Sequence, residues 1–245
     1  AMKILVCISC VPDTTSKIAI DPSTSQISSQ GLTYIVGPYD DYALSRAIEL
    51  KESNGAEVIV LHVGGSESEP LIRKCLALGA DSAVRIDGNP ISSTQIADAI
   101  VDYVKQNPVD LILMGKESID YNSGIVHGLV AGALGYVHFN PVMHLDLAGN
   151  DLHLEVEIDG GKMEVSCSFP AVLGCQEPIA EWKIPSMRGI MTARTKEISV
   201  LPLNPTDSVK LVKASIAETS RRNKMIDAAD AETLIDLLKT ETNVL

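Results

Sequence analysis

Residues Val109–Gly124, VDLILMGKESIDYNSG, decide the fold. Leu111–Met114 is a short, wholly apolar run that stops at Gly115. A polar loop follows, and Asn122, Ser123 and Gly124 lead into a second apolar run at helical spacing. A strand without a polar face is one covered on both sides, as in a parallel sheet between helices. In an open sheet of that kind, ligands bind in the crevice outside the carboxyl ends of the strands. A helix that begins there turns unsatisfied backbone N–H groups toward an anion. The stretch is a candidate nucleotide pocket.

The same alternation extends to either side. Lys3–Ser9 is strand-like. Asp40 can cap a helix whose apolar face is Ala43, Leu44, Ala47 and Ile48, ended by Asn54–Gly55. Glu57–Val63 is the next strand. Glu69–Leu78 is a helix with Ile72, Cys75 and Leu76 on one side, stopped at Gly79. Ser82–Ile86 is a short strand, and Ser93–Gln106 a helix with Ile96, Ala97, Ile100, Val101 and Val104 inward. Strands separated by helices of this length make βαβ units. Asp151–Glu157 and Lys162–Ser168 alternate apolar and polar residues around Asp159–Gly160–Gly161, which signals a hairpin. Ala171–Gly174 is a further apolar strand. The fold class expected is α/β: an open, mostly parallel Rossmann-like sheet with an added hairpin.

From Pro178 the core-like rhythm is lost. Pro178, Pro185, Pro202 and Pro205 punctuate the chain, and basic residues gather at Lys183, Arg188, Arg194 and Lys196, then at Arg221, Arg222 and Lys224. Only Ala228–Lys239 reads as an amphipathic helix, with Leu234, Ile235, Leu237 and Leu238. By pattern this segment is either a tail folded back on its own domain or an arm that packs on a partner subunit.

Composition narrows the function. A net charge of −12 over 245 residues argues against nucleic acid and anionic membrane surfaces as partners. It permits a small nucleotide held by backbone amides. Hydrophobic residues make up 45% and aromatic residues 4%, so the core is aliphatic. No apolar run reaches the roughly 18 residues of a membrane span. Met2 and Lys3 run directly into Ile4–Ile8, so no signal peptide and a cytoplasmic location are expected. Five cysteines without a compact spacing read as reduced thiols. Cys7 and Cys10 form a CxxC, which would make a thiol redox pair or half a metal site. No second CxxC or nearby histidine completes a zinc site.

Hydrolytic machinery is missing. His62, His127, His138, His144 and His153 show no HExxH spacing, and Gly115–Lys116 lacks the rest of a P-loop. Neither a GxGxxG after the first strand nor an SGGxDS loop is present. The pocket is expected to hold a nucleotide without cleaving it. Its donors would be the backbone N–H groups of Asn122 to Val126 and the Ser123 hydroxyl. Lys116 is either a solvated charge or a ligand contact, and Asp120 either a turn former or a ligand contact. Capping explains Asp40–Asp41 at a helix start.

These segments resemble, in order and over nearly the whole chain, the beta subunit of electron transfer flavoprotein. KILVCISCVPDT resembles the family's first strand and V-P-D turn, and GPYDDYALSRAIELKE its NPYDEYALE helix start. GKESIDYNSG resembles its G-[KR]-[EQ]-[AS]-I-D loop. VEIDGGKMEVSCSFPAVLGCQEP resembles its hairpin, L-P-A-V strand and N-E-P, and IPSMRGIMTARTKEI its L-P-x-I-M-x-A-K-K-K segment. The resemblance implies an adenine nucleotide alpha hydrolase-like fold, akin also to universal stress proteins. It implies an electron carrier rather than an enzyme, in a heterodimer whose alpha subunit holds the redox FAD. The beta subunit would bind AMP, or a second FAD in electron-bifurcating members. Electrons would pass from acyl-CoA dehydrogenases of fatty acid oxidation, or other flavin dehydrogenases, to a quinone oxidoreductase or similar acceptor.

Carried over by position, the nucleotide contacts are Cys7, Gly37, Pro38, Tyr39, Asp40, Val63, Gly115, Lys116, Ser118, Asp120, Asn122, Ser123, Gly124, Ile125 and Val126. Tyr39 would also lie near the alpha-subunit flavin. Ile184, Pro185 and Met187 match the loop that docks on dehydrogenases. Residues 1–190 would form the nucleotide-binding domain, and 191–245 a C-terminal arm on the alpha subunit. The chain departs from the family pattern at Gly37 (usually Asn), at Ile125 and His127 (usually Gln and Gly), and in a longer docking segment containing Trp182–Lys183–Ile184 and Met187–Arg188–Gly189. A stand-alone nucleotide-binding module of the universal stress protein type is the alternative.

Overall fold

Four apolar residues in succession, Ile4 to Cys7, put side chains alternately on the two faces of the first strand, and all four are buried. The computed structural model describes residues 2–204, 209–217, 220 and 223–242. Pro205, Arg221 and Arg222 lie outside the described residues. In chain order the elements are β1 (Lys3–Cys7), β2 (Cys10–Pro12), β3 (Ile20–Asp21), β4 (Gln26–Ile27), β5 (Tyr34–Val36), α1 (Pro38–Asn54), β6 (Glu57–Val63), α2 (Glu69–Leu78), β7 (Ser82–Asp87), α3 (Ser93–Gln106) and β8 (Leu111–Gly115). There follow α4 (Val126–Leu134), β9 (Val137–Ala148), β10 (Asp151–Ile158), β11 (Gly161–Ser168), β12 (Ala171–Cys175), α5 (Met187–Ala193), β13 (Ile198–Pro202) and α6 (Ala231–Leu237).

Among the described residues, nine strands form one sheet in the order β11-β10-β9-β12-β8-β1-β6-β7-β13. Pairing is parallel from β9 through β13, and only β9–β10 and β10–β11 are antiparallel. The expected α/β class and mostly parallel open sheet are present. On one face Ile4, Val6, Val58, Val60, Leu111 and Leu113 pack with Ala43, Leu44, Ala47 and Ile48 of α1 and Ile72 and Leu76 of α2. On the other, Leu5, Ile59, Leu61, Ile112 and Val172 pack with Ala97, Ile100 and Val104 of α3 and Val130 of α4. Each fully buried Val, Leu or Ile among them contributes about 1.5–3 kcal/mol.

Two expectations change. Asp40 does not cap α1: Gly37 is the N-cap, with no side-chain cap bond, and Pro38 opens the helix. That places Asp40 inside the first turn, where its carboxylate reaches into the protein instead. The hairpin is longer than expected, because β9 extends it to three strands over twelve residues that include Pro141. Residues 189–202 are tied to the neighbouring elements at three points. Arg73 donates to the carbonyl of Ala193, Gly189 lies against the carbonyl of Ala77, and β13 pairs with β7 at the sheet edge. The chain divides into a unit of Ala1–Ile18 with Ser29–Val212 and a unit of Ala19–Ser28 with Lys213–Leu245. The smaller unit contains the β3–β4 hairpin, whose Ser25 carbonyl accepts from the amide of Ala214, and α6, capped by Asp230. Among the described residues, no helix is long and apolar enough to cross a membrane.

Candidate functional site

A cavity of about 770 Å³ opens at the carboxyl ends of β1, β6 and β8. The chain leaves β1 toward β6 and β7, then returns to the other side of β1 as β8. This reversal is the topological switch point at which an open α/β sheet leaves a crevice. Cys7, Leu61, Val63, Ile96, Ile100 and Met114 give it an apolar wall. Opposite, the beginnings of α3 and α4 converge: Ser93 Oγ and Ser123 Oγ are 3.1 Å apart. Ser92 caps α3 by accepting from the Gln95 amide. Two helix N-termini meeting in one cavity turn backbone N–H groups and positive dipole ends toward an anion. The cavity's carboxylates are Asp40, Glu67, Glu117 and Asp120, and no lysine or arginine stands among the described lining residues. An anion here would be held by backbone amides and hydroxyls.

Asp40 ties the floor together. It accepts from the Ser9 amide at 2.8 Å, the Ser9 hydroxyl at 2.6 Å and the Gly115 amide at 2.7 Å. Burial pushes its pKa up to about 6 against those three bonds, which oppose the rise. Glycine is required at 115, because a Cβ there would stand 2.7 Å from Tyr39 Cβ and 2.9 Å from the Asp40 backbone nitrogen. A Cβ on Gly37 would lie 2.4 Å from Ser9 Oγ, so the bare residue leaves room for the Ser9–Asp40 bond.

The loop from Gly115 to Val126 is pinned at its start, where the Lys116 amide donates to the Cys175 carbonyl. Asp120 shapes it, accepting from Ser118 Oγ at 2.5 Å and the Tyr121 amide at 2.8 Å. This is the turn-forming role. The Asn122 amide donates to the Ser118 carbonyl, so it leaves the expected donor set, and Asn122 and Gly124 take φ of 51° and 59°. Lys116 is not solvated in the simple sense: its ammonium lies 4.8 Å from the centre of the Tyr39 ring.

Cys7, Asp40, Val63, Gly115, Ser118, Asp120, Ser123, Gly124, Ile125 and Val126 line this one cavity. Gly37, Pro38, Tyr39, Lys116 and Asn122 stand outside the lining; Tyr39 and Lys116 pair with each other. Sequence reasoning missed Ser9, Cys10, Glu67 and Ser93 as lining residues, whereas His127, placed in the pocket helix by the family comparison, does line it. The Ser92–Ser93 cap before a periodic helix could have pointed to Ser93. Burial raises the Cys7 thiol above its ordinary range and pushes Cys10 up to about 12, with Asp40 adding to both, so neither is a nucleophile near neutrality. Among the described residues no group of side chains could hold a metal. Away from the cavity, Ile184 and Met187 are 75% and 76% exposed, beside exposed Trp182 and Met191.

The model of the electron transfer flavoprotein domain matches residues 24–206. The electron transfer flavoprotein subunit beta of Bacillus subtilis is 31% identical over 95% of this chain and 96% of its own. That of Syntrophomonas wolfei is 33% identical over 88% of this chain and 86% of its own, and that of Homo sapiens 27% over 97% of each.

Proposed function

The chain belongs to the electron transfer flavoprotein family as a beta-subunit member, and from that membership we propose that it binds an adenine nucleotide, AMP or a second FAD, in the cavity at the switch point. It works as an electron-carrier subunit, not an enzyme, in a heterodimer with the alpha subunit. FAD held mainly by the alpha subunit supplies the redox chemistry, and the chain supplies binding, orientation and electrostatics. Flavin dehydrogenases, such as acyl-CoA dehydrogenases, donate through it, and a quinone oxidoreductase or similar protein accepts.

The observation that carries the nucleotide assignment is the junction of α3 and α4. Their starts bring Ser93 and Ser123 within 3.1 Å beside an apolar wall. A volume of about 770 Å³ suits a small ligand with a flat base and phosphate. The adenine would lie along Cys7, Leu61 and Val63, and the phosphate on the amides of Ser123 to Val126. Tyr39, with Lys116 over its ring, would face the alpha-subunit flavin. Ile184, Pro185 and Met187 would anchor the donor dehydrogenase, since exposed apolar residues on one short segment form a hot spot when a partner covers them. The smaller unit, 213–242 in particular, would be the arm on the alpha subunit.

The test is to co-express the chain with its alpha subunit, denature the purified complex and identify what is released. One FAD with one AMP supports ordinary electron transfer, and two FAD support bifurcation. Release of FAD alone at one per heterodimer would reject the pocket.

A further inference from the structure

Two histidines stand beside this cavity with no part in the reading above. His127, in the first turn of α4, is 4% exposed and lines the cavity. Its Nε2 lies 2.9 Å from the carbonyl oxygen of Lys116, and its Nδ1 lies 2.9 Å from Nε2 of His138 on β9. The ring planes are 19° apart and the centroids 4.9 Å apart, so the two rings lie nearly edge to edge across that bond. A carbonyl only accepts, so Nε2 of His127 carries a hydrogen. In the neutral ring Nδ1 is then the acceptor, and Nε2 of His138 donates to it. One peptide oxygen thus fixes both tautomers. The pair can accept one further proton without losing either bond: the proton enters at Nδ1 of His138, and the charge is shared across the Nδ1···Nε2 bond. A second proton would set two N–H groups against each other.

The surroundings leave this pair poised. Burial holds both rings below the ordinary histidine range, and His127 further discourages charge on His138. The rest of α4 is without titratable side chains. The elements packed on it are α3, β9 and β12. These bring Asp98, Asp102, Tyr103 and Lys105 from α3, His144 bonded to Asp146 from β9, and Cys175, kept protonated by burial, from β12. From the loop come Glu117, Asp120 and Lys116, whose ammonium is engaged with Tyr39. The far wall contributes Asp40, Glu67 and His62, the last also held below its ordinary range by burial. A phosphate on the amides of α4 would therefore meet acidic side chains and no fixed side-chain cation.

We propose that His127 and His138 act together as a positioning pair with a single movable charge: binding of a nucleotide phosphate draws one proton from solvent onto the pair, which then supplies the positive charge that the lining otherwise lacks. The inference rests on the nucleotide assignment above. It makes affinity fall as pH rises, because the proton must come from an increasingly dilute source.

Calorimetric titration of AMP, and separately FAD, into the full-length chain in buffers of different ionisation enthalpy counts the protons taken up. The comparison is a His127→Gln, His138→Leu double variant, in which an amide can still donate to the Lys116 carbonyl and neither side chain can be charged. Comparing the two proteins cancels proton exchange by the ligand and by Asp40. The wild-type chain is expected to take up about 0.3–1 proton more per ligand near neutrality, and its Kd to rise by up to about tenfold per pH unit above that. Binding with equal proton counts in both proteins overturns the proposal and leaves the nucleotide site standing. No binding of either ligand to the wild-type chain overturns both. Should the variant not fold, nitrogen NMR of the wild-type rings decides: shifts that stay at neutral-imidazole values on saturation with FAD overturn the proposal, and movement toward imidazolium values supports it.

Discussion

Replacing Asp40 with Asn separates two effects that oppose each other at the floor of the cavity. The wild-type carboxylate is 5% exposed and accepts three hydrogen bonds. Its pKa stands near 6 in the folded chain against an ordinary 3.8, raised by burial. Because the folded value is the higher one, the native state binds more protons than the unfolded chain between about pH 4 and pH 6. Stability contributed by this group is thus greatest below that window and is lost as pH rises through it. A rise from 3.8 to about 6 corresponds to about 3 kcal/mol. The amide is neutral throughout, so Asp40→Asn escapes that loss. It also cannot accept with both of its terminal atoms, and leaves one buried N–H, of Gly115 or Ser9, without a partner at about 1–3 kcal/mol. The stability gap between Asp40→Asn and wild type should therefore move by about 2 kcal/mol in favour of the variant between pH 4.5 and pH 7.5. Urea unfolding of both full-length proteins across that range measures the difference. Parallel curves, with a gap constant to within about 0.5 kcal/mol, would refute the reasoning.

Gly115→Ala drives a methyl group into the backbone of Asp40, and should cost at least about 2 kcal/mol and lower the nucleotide recovered per complex; unchanged Tm and occupancy would contradict it. Ile184→Ala should slow electron transfer from a cognate dehydrogenase about fivefold or more while subunit assembly is unaffected, and unaltered transfer kinetics would sink the docking role. Cys10→Ser should retain activity within about twofold, since its thiol is held protonated; a large loss would revive the thiol redox alternative. Gly189→Ala should destabilise the chain by about 2 kcal/mol or more, because its Cβ would stand 2.2 Å from the carbonyl oxygen of Ala77, and thermal unfolding checks it.

What could be read from the sequence was what repeats locally. Leu111–Met114, Glu57–Val63 and Ala171–Gly174 are apolar on both faces, and helices with an apolar stripe separate most of the parallel strands; that pattern has few solutions other than a parallel sheet. The hairpin at Asp159–Gly160 was legible from its turn. β9 was not, because Pro141 breaks its alternation in the middle, and its place is set by β10 and β12 on either side. β13 was missed because its residues are largely exposed at an edge and only the partner strand defines it. Asp40 read as a cap since that is the local role of an acidic residue at a helix start. Its true partners, Ser9 and Gly115, lie 31 and 75 residues away. Ser93 and Ser123, and His127 and His138, are likewise pairs that only folding brings together.

The mounting of the segment proposed for docking sets how it would be used. Ser186 caps α5, Gly189 lets that helix close on α2, and the ammonium of Lys196 reaches the carbonyls of Leu76, near the end of α2, and of Ala80 just beyond it. β13 then fixes the chain to the sheet. Ile184 and Met187 project from a stretch already ordered on its downstream side, so capturing them would freeze few additional backbone torsions. Contact made with so little ordering can be weak in area and still brief, specific and rapidly reversed. A carrier that must leave one protein to reach the next needs a surface that lets go as readily as it binds.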